Sequence, residues 1–198
     1  MVRNKGHYRP LLPSGLPVAL SDDIRCAQGT ERYNPQTTLY KKTGGTKMSD
    51  ALSAAERIEI ERACERLTYA YGRALDLGDM NAAADCFAEH GSFARPMNPG
   101  QVIEGREAIR TSLLTRPKTL LTKHLTTGVM IDVESRESAR GLSYLTMIAT
   151  TPPEGAAPPF ASAGPVWFGE MKDRFVRENG AWKFLERRGS IQMKFSGT

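Results

Sequence analysis

Residues 69–79, Tyr-Ala-Tyr-Gly-Arg-Ala-Leu-Asp-Leu-Gly-Asp, are the stretch from which the rest of the chain can be organised. They close a run beginning near Ser53 in which Ile60, Cys64, Leu67, Tyr71, Ala74 and Leu75 recur at three- and four-residue steps. Glu56, Arg57, Glu61, Arg62, Glu65 and Arg66 occupy the other side. That spacing predicts a long amphipathic helix. Gly78 supplies its stop and Asp79 the N-cap of a second helix over Met80–Glu89, with Ala83, Cys86 and Phe87 turned to the core. Tyr71 falls on the apolar stripe, whereas Tyr69 lies about 160° away and is peripheral. Capping accounts for Asp79. It does not account for Asp76, a carboxylate in the last helical turn, where it opposes the helix dipole.

Downstream, Phe93 begins extended chain, Pro96, Pro99 and Gly100 mark a loop, and Gly105 introduces a third helix on which Ala108, Ile109, Leu113 and Leu114 share a face. Four β-rich runs follow: Leu121–Glu134, Ala139–Thr151, Val166–Arg177 and Ala181–Phe195. Asn179-Gly180 fits a type I′ hairpin that pairs Phe175 with Phe184 and Arg177 with Trp182. The four prolines of Thr151–Gly164 prevent a ladder and predict a loop able to serve as a lid. Three helices followed by a meandering antiparallel sheet make an α+β domain over residues 48–198.

The 198 residues carry a net charge of +5, and all of it resides in residues 1–47. A neutral body offers no field for a phosphate backbone, so no nucleic-acid partner is expected. No apolar run reaches the ~20 residues of a bilayer span, so no membrane partner is expected either. The aperiodic, proline-rich stretch 1–47 reads as a disordered basic leader. Within it Thr37–Thr46 resembles a recombination scar ahead of a natural start at Met48. Cys26, Cys64 and Cys86 have neither the number nor the spacing of a disulfide framework or a zinc site, which fits a reducing cytoplasm and small buried thiols.

Two histidines fall within the periodic part. His90 sits at the expected end of helix two, where it would cap carbonyls. His124 lies inside the first long strand, with Thr126, Gly128 and Met130 on its face by alternation. The order Tyr71…Leu75-Asp76-x-Gly78-Asp79, Phe87…Gly91-x-Phe93, Gly105-x-x-x-Ile109, a strand His124, and Asp173…Gly180-x-Trp182…Arg187 resembles the SnoaL-like branch of the nuclear-transport-factor-2-like superfamily over about residues 53–195. The resemblance implies a cone-shaped fold, with three N-terminal helices packed on a curved antiparallel sheet. Tyr71, Asp76 and His124 are similar to the catalytic Tyr, Asp and His of bile-acid 7-alpha-dehydratase and, more loosely, of scytalone dehydratase.

Such a set suits loss of water from a β-hydroxy carbonyl compound. His124 is the base, Asp76 orients its imidazole, and Tyr71 donates to the developing oxyanion; neither metal nor redox cofactor is required. The expected function is therefore a cofactor-independent lyase, a dehydratase acting on a hydrophobic substrate. A cofactor-free isomerase or polyketide cyclase, and a non-catalytic small-molecule-binding module of the same fold, are the alternatives. Tyr144, Met147, Trp167 and Phe168 are expected to line an apolar pocket, and the family arginine aligns with Arg187. Regular alternation from Phe184 would instead turn Arg188 inward, a conflict that a bulge would resolve. Apolar residues left on the uncovered sheet face, Phe195, Ile191 and Leu185, predict a homo-oligomer, a dimer or trimer.

Overall fold

Helix α1, Ala54–Leu77, starts where the Ser53 side chain accepts from the Glu56 N–H while the Glu56 carboxylate accepts from the Ser53 N–H, a reciprocal capping box. It stops at Gly78, whose positive φ of 76° lets its N–H bond back to Ala74 and Leu75. The computed structural model describes residues 51–162 and 164–196; the leader expected over 1–47 lies outside the described residues. Asp79 Oδ1 accepts from the Ala82 N–H at 2.9 Å and caps helix α2, Met80–Asp85.

The second helix ends four residues before the expected Glu89. Strand β1, Phe87–Ala94, begins at once, because Phe87 pairs with Phe184 and buries its ring against Phe93 and Tyr71. His90 therefore lies exposed in a strand and caps no helix. Strand β2 (Val102–Glu104), helix α3 (Arg106–Leu114) and strands β3 (Leu121–Val133), β4 (Ser138–Thr150), β5 (Val166–Glu178) and β6 (Ala181–Phe195) are the remaining elements among the described residues. The sheet has six strands in the order β2-β1-β6-β5-β4-β3. It is mixed, since β1 runs parallel to β6, and this corrects the expected antiparallel meander. The two extra strands escaped notice because β2 is three residues long and β1 does not alternate in burial.

The Asn179-Gly180 turn has φ of 52° and 78°, as a type I′ hairpin requires, and Phe175 faces Phe184 as expected. One residue later the register slips. Arg174 pairs with Glu186, so Leu185 is the extra residue of a bulge, and both Phe184 and Arg187 turn toward the core. Arg188 turns the other way and donates to Ser92 Oγ at 2.9 Å. A second bulge lies in β3 between Thr127 and Met130, at Gly128 with φ of 57°. It ends the alternation that begins at His124, so Met130, expected on that face, is 52 % exposed while Ile131 packs on the core.

Phe87, Phe93, Phe175, Phe184, Ile109, Leu113 and Cys64 form the centre of the core, with the Tyr71 ring edge-on to Phe87, Phe93 and Phe184. Of the three residues expected on the uncovered face, only Phe195 is strongly exposed; Ile191 lies against Gly169 and Leu185 is half-buried in the bulge. Phe184 is fully buried and touches three other rings, so Phe184→Ala should cost about 3–5 kcal/mol, read as a lowered midpoint in chemical denaturation at unchanged slope.

Candidate functional site

Strand β3 is a sheet edge, and α1 packs along it, bringing the last turn of the helix beside His124. Asp76 projects from that turn and accepts three hydrogen bonds. Its Oδ2 takes the His124 backbone N–H at 2.9 Å, and its Oδ1 takes His124 Nδ1 at 2.5 Å and Thr122 Oγ1 at 3.0 Å. A carboxylate only accepts, so the ring proton in this contact sits on Nδ1, and Nε2 keeps its lone pair. Gly72, one turn earlier on α1, faces the same ring: a Cβ there would lie 3.5 Å from His124 Cβ. The two side chains are largely buried, His124 at 9 % and Asp76 at 13 % exposure.

Burial lowers the His124 pKa below the ordinary 6.5. Asp76 opposes this through its hydrogen bond and charge, while the guanidinium groups of Arg116 and Arg187 add to it. Burial is the larger influence and favours the neutral ring. Burial acts on Tyr71 in the other direction and pushes its phenol up to about 12, against the pull of Arg187 and Arg95. The Tyr71 hydroxyl makes no hydrogen bond with any described residue, which leaves its proton free to be donated.

Arg187 packs on Tyr71. Its guanidinium carbon is 4.7 Å from the Tyr71 ring centre and 4.4 Å from that of Phe184, and its Nη1 donates to Asp173 Oδ2 at 3.1 Å. Burial lifts the Asp173 carboxyl to about 6 against the attraction of Arg187. Both side chains are almost fully enclosed, and Asp173 Oδ1, Arg187 Nε and Ser143 Oγ are buried without a hydrogen-bond partner among the described residues. These buried polar atoms lie in the same domain interior as the Tyr71 ring, against which Arg187 packs.

Trp167 pairs with Met147, which pairs with His124, so the three form one cross-strand row on a single face, and Lys194 Nζ lies 5.0 Å over the indole. Tyr144 does not join them. It alternates with the buried Ser143 and Leu145, projects from the opposite face beside Gly128, and is 61 % exposed. Phe168 also faces away from Trp167, by the same alternation, and stacks edge-on with Phe195. The loop after β4 folds back on that strand through Thr150 Oγ1 to Ala161 O and Ser162 Oγ to Ala149 O, both 3.1 Å, and Ala149 is the cross-strand partner of Thr122.

Sequence reasoning missed Thr122 and Arg116. Thr122 carried a usable signal, because alternation puts residue 122 on the face of residue 124. Arg116 lies between α3 and β3, where no period applies. Cys64 and Cys86 are buried free thiols, pushed by burial to about 12 and about 11, in keeping with a packing role. Two surface depressions, of about 500 Å³ around Glu89, His90 and the start of α3 and of about 250 Å³ around Ile58, Glu61 and Ile131, do not include the dyad. Among the described residues no cluster of three or more His, Cys, Asp or Glu could hold a metal ion, and no helix is long and apolar enough to cross a membrane.

No curated protein sequence matches the chain. Solved structures do. A putative scytalone dehydratase from Novosphingobium aromaticivorans superposes with a TM-score of 0.62 at 22% identity, covering 74% of this chain and 93% of that one. A Mycobacterium tuberculosis protein of unknown function gives 0.55 at 27% identity, covering 69% and 77%. A hexachlorocyclohexane dehydrochlorinase gives 0.61 at 14% identity, covering 74% and 94%. The first and third likenesses speak for the fold alone. The SnoaL-like domain profile matches residues 56–188, about two thirds of the sequence and every strand and helix that builds the site. The chain accordingly belongs to the SnoaL-like family.

Proposed function

We propose that the protein is a cofactor-independent lyase that eliminates water from a hydrophobic β-hydroxy carbonyl compound. The observation that carries this reading is the Asp76–His124 contact, which leaves a neutral imidazole with a lone pair on Nε2. In the reaction His124 Nε2 takes the proton from the carbon beside the carbonyl. The electron pair of that C–H bond moves toward the carbonyl oxygen and then forms the new C=C bond as the β-hydroxyl departs. Tyr71 donates a hydrogen bond to the oxygen that gains negative charge, and the proton taken up by His124 is delivered to the departing hydroxyl, which leaves as water, so that an enone and water balance the substrate and the imidazole returns to its neutral form. Asp76 stabilises the imidazolium formed on the way.

Arg187 supports this reading because its positive charge bears on both Tyr71 and His124. Trp167 and Met147, in the row of His124, supply the apolar wall expected of the substrate site. The partners of Asp173 Oδ1, Arg187 Nε and Ser143 Oγ would then be polar atoms of the substrate or water.

With substrate in hand, His124→Ala should abolish the growth of enone absorbance. Asp76→Asn should cost on the order of 10²–10⁴ in rate, and Tyr71→Phe about 10–10³. Because base and orienter act as a unit, the Asp76 and His124 double variant should match His124→Ala alone. Near-wild-type turnover in a folded His124→Ala protein would make the dyad structural, and an isomerase or binding module would replace the lyase.

The pH dependence has a fixed sign. His124 must be neutral to accept a proton and its pKa is lowered, so the rate should climb through a midpoint below 6.5. Tyr71 stays protonated to about 12, so the rate should remain level across roughly pH 7–10. An alkaline limb within that range would remove Tyr71 from the donor role.

The homo-oligomer belongs to the same proposal. Leu125, Phe168 and Met193 share one row on the face turned away from α1, beside exposed Tyr144 and Phe195, and this apolar band suits a second copy. Light scattering at micromolar concentration should give a dimer or trimer; a monomer counts against it.

A further inference from the structure

A line of hydrogen bonds runs from the residue after Thr115 to the base. Arg116 Nη2 donates to Thr122 Oγ1 at 2.5 Å and to Leu120 O at 3.4 Å. Thr122 Oγ1 donates to Asp76 Oδ1 at 3.0 Å, the same oxygen that holds the Nδ1 proton of His124 at 2.5 Å. The direction of the line is forced. A guanidinium only donates and a carboxylate only accepts, so Arg116 occupies a lone pair of the hydroxyl and the one hydroxyl proton goes to Asp76. Thr122 is buried at 3 % exposure, so water does not compete for that proton.

We propose that Arg116 and Thr122 are positioning residues for His124: together they fix the carboxylate of Asp76 so that one oxygen holds the imidazole Nδ1 proton and Nε2 faces the reaction. This inference rests on the reading of His124 as a base, but the geometry has a consequence that needs no substrate. A donor on Asp76 Oδ1 draws negative charge away from the imidazole contact. Removing the donor leaves a stronger acceptor, which favours the protonated ring. Removing the Arg116 charge has the same sign, since that charge disfavours the imidazolium. The other groups bearing on His124 are Asp76 of α1 and Arg187 of β6. Asp76→Asn should move the titration the opposite way.

The test is an NMR pH titration of the His124 imidazole in the full chain, without substrate, assigned against His124→Asn. The chain has three histidines, so the signals are few. Thr122→Val should raise the midpoint by about 0.5–1 pH, roughly a threefold to tenfold gain in proton affinity, and mix the two neutral tautomers. Thr122→Ser, which keeps the hydroxyl, should titrate like wild type. Arg116→Gln should raise the midpoint, and its combination with Thr122→Val should raise it beyond Thr122→Val alone, because the Arg116 charge also acts on the imidazolium directly. Wild-type midpoints and tautomer in folded Thr122→Val and Arg116→Gln proteins would overturn the proposal and reduce the line to a staple between loop and sheet. Should Thr122→Val fail to fold, a raised midpoint in Arg116→Gln beside an unchanged Thr122→Ser upholds it, and an unmoved Arg116→Gln overturns it. Shifted titrations in a protein that dehydrates nothing would keep the positioning line and remove the lyase. Unshifted titrations in an active enzyme would do the reverse.

Discussion

A single carboxylate joins the helical layer to the sheet at the point where chemistry is proposed. Asp76 stands in the last turn of α1, where the helix dipole disfavours it by about 0.3–1 kcal/mol. It accepts three hydrogen bonds there, and bonds to a charged acceptor contribute roughly 1.5–3 kcal/mol each, so the contacts outweigh the dipole several-fold. One of the donors is a backbone N–H of the edge strand β3, which would otherwise need another partner. The carboxylate thus closes a sheet edge, anchors the end of a 24-residue helix and orients an imidazole with the same two oxygens.

The acid–base contrast of the site follows from one cause acting on groups of opposite type. Burial disfavours whichever form is charged, and the charged form of histidine is the protonated one, while that of tyrosine is the deprotonated one. His124 is driven toward neutrality and Tyr71 toward its protonated phenol, up to about 12. Burial thereby pushes the two side chains apart in acid–base character, as the proposed roles of base and donor require. Arg187 tempers this. Its charge opposes the imidazolium yet favours a phenolate or any other anion forming beside Tyr71, and its own burial is tolerated through Asp173 and the faces of two rings.

Helix α1 and the β5–β6 hairpin were legible in the sequence because each depends on a local rule: a 3.6-residue stripe with its caps, and Asn-Gly with both residues at positive φ. Asp76 was legible as a residue out of place, a charge that neither capping nor the dipole explains. What escaped notice depends on contacts distant in sequence. Phe87 looked like the continuation of a helix, yet its partner Phe184 lies 97 residues away and draws the chain into a strand parallel to β6. Tyr144 looked like a pocket residue because it is large and aromatic; alternation from its strand neighbours puts it on the other face. Arg116 has no period to be read from and gains its meaning only from Thr122 across the turn.

The bulges at Leu185 and Gly128 make core and site compatible on one face. In a regular hairpin, alternation from Phe184 would point Glu186 and Arg188 inward, and Arg187 would lie on the solvent side. The extra residue Leu185 resets the count, so that Phe184 packs on Phe175 while Arg187, three positions on, meets Asp173 on the same side. The bulge at Gly128 does the corresponding work on β3. Thr122, His124 and Thr126 face α1 below it, and Ile131 and Val133 pack on the core above it. Each strand is thereby divided into a core segment and a polar segment that share a side, which uninterrupted alternation could not combine with this spacing of residue types. The positive φ at Gly128, where a Cβ would lie 3.0 Å from the Tyr144 ring, ties that division to glycine and leaves room for the ring that β4 turns outward.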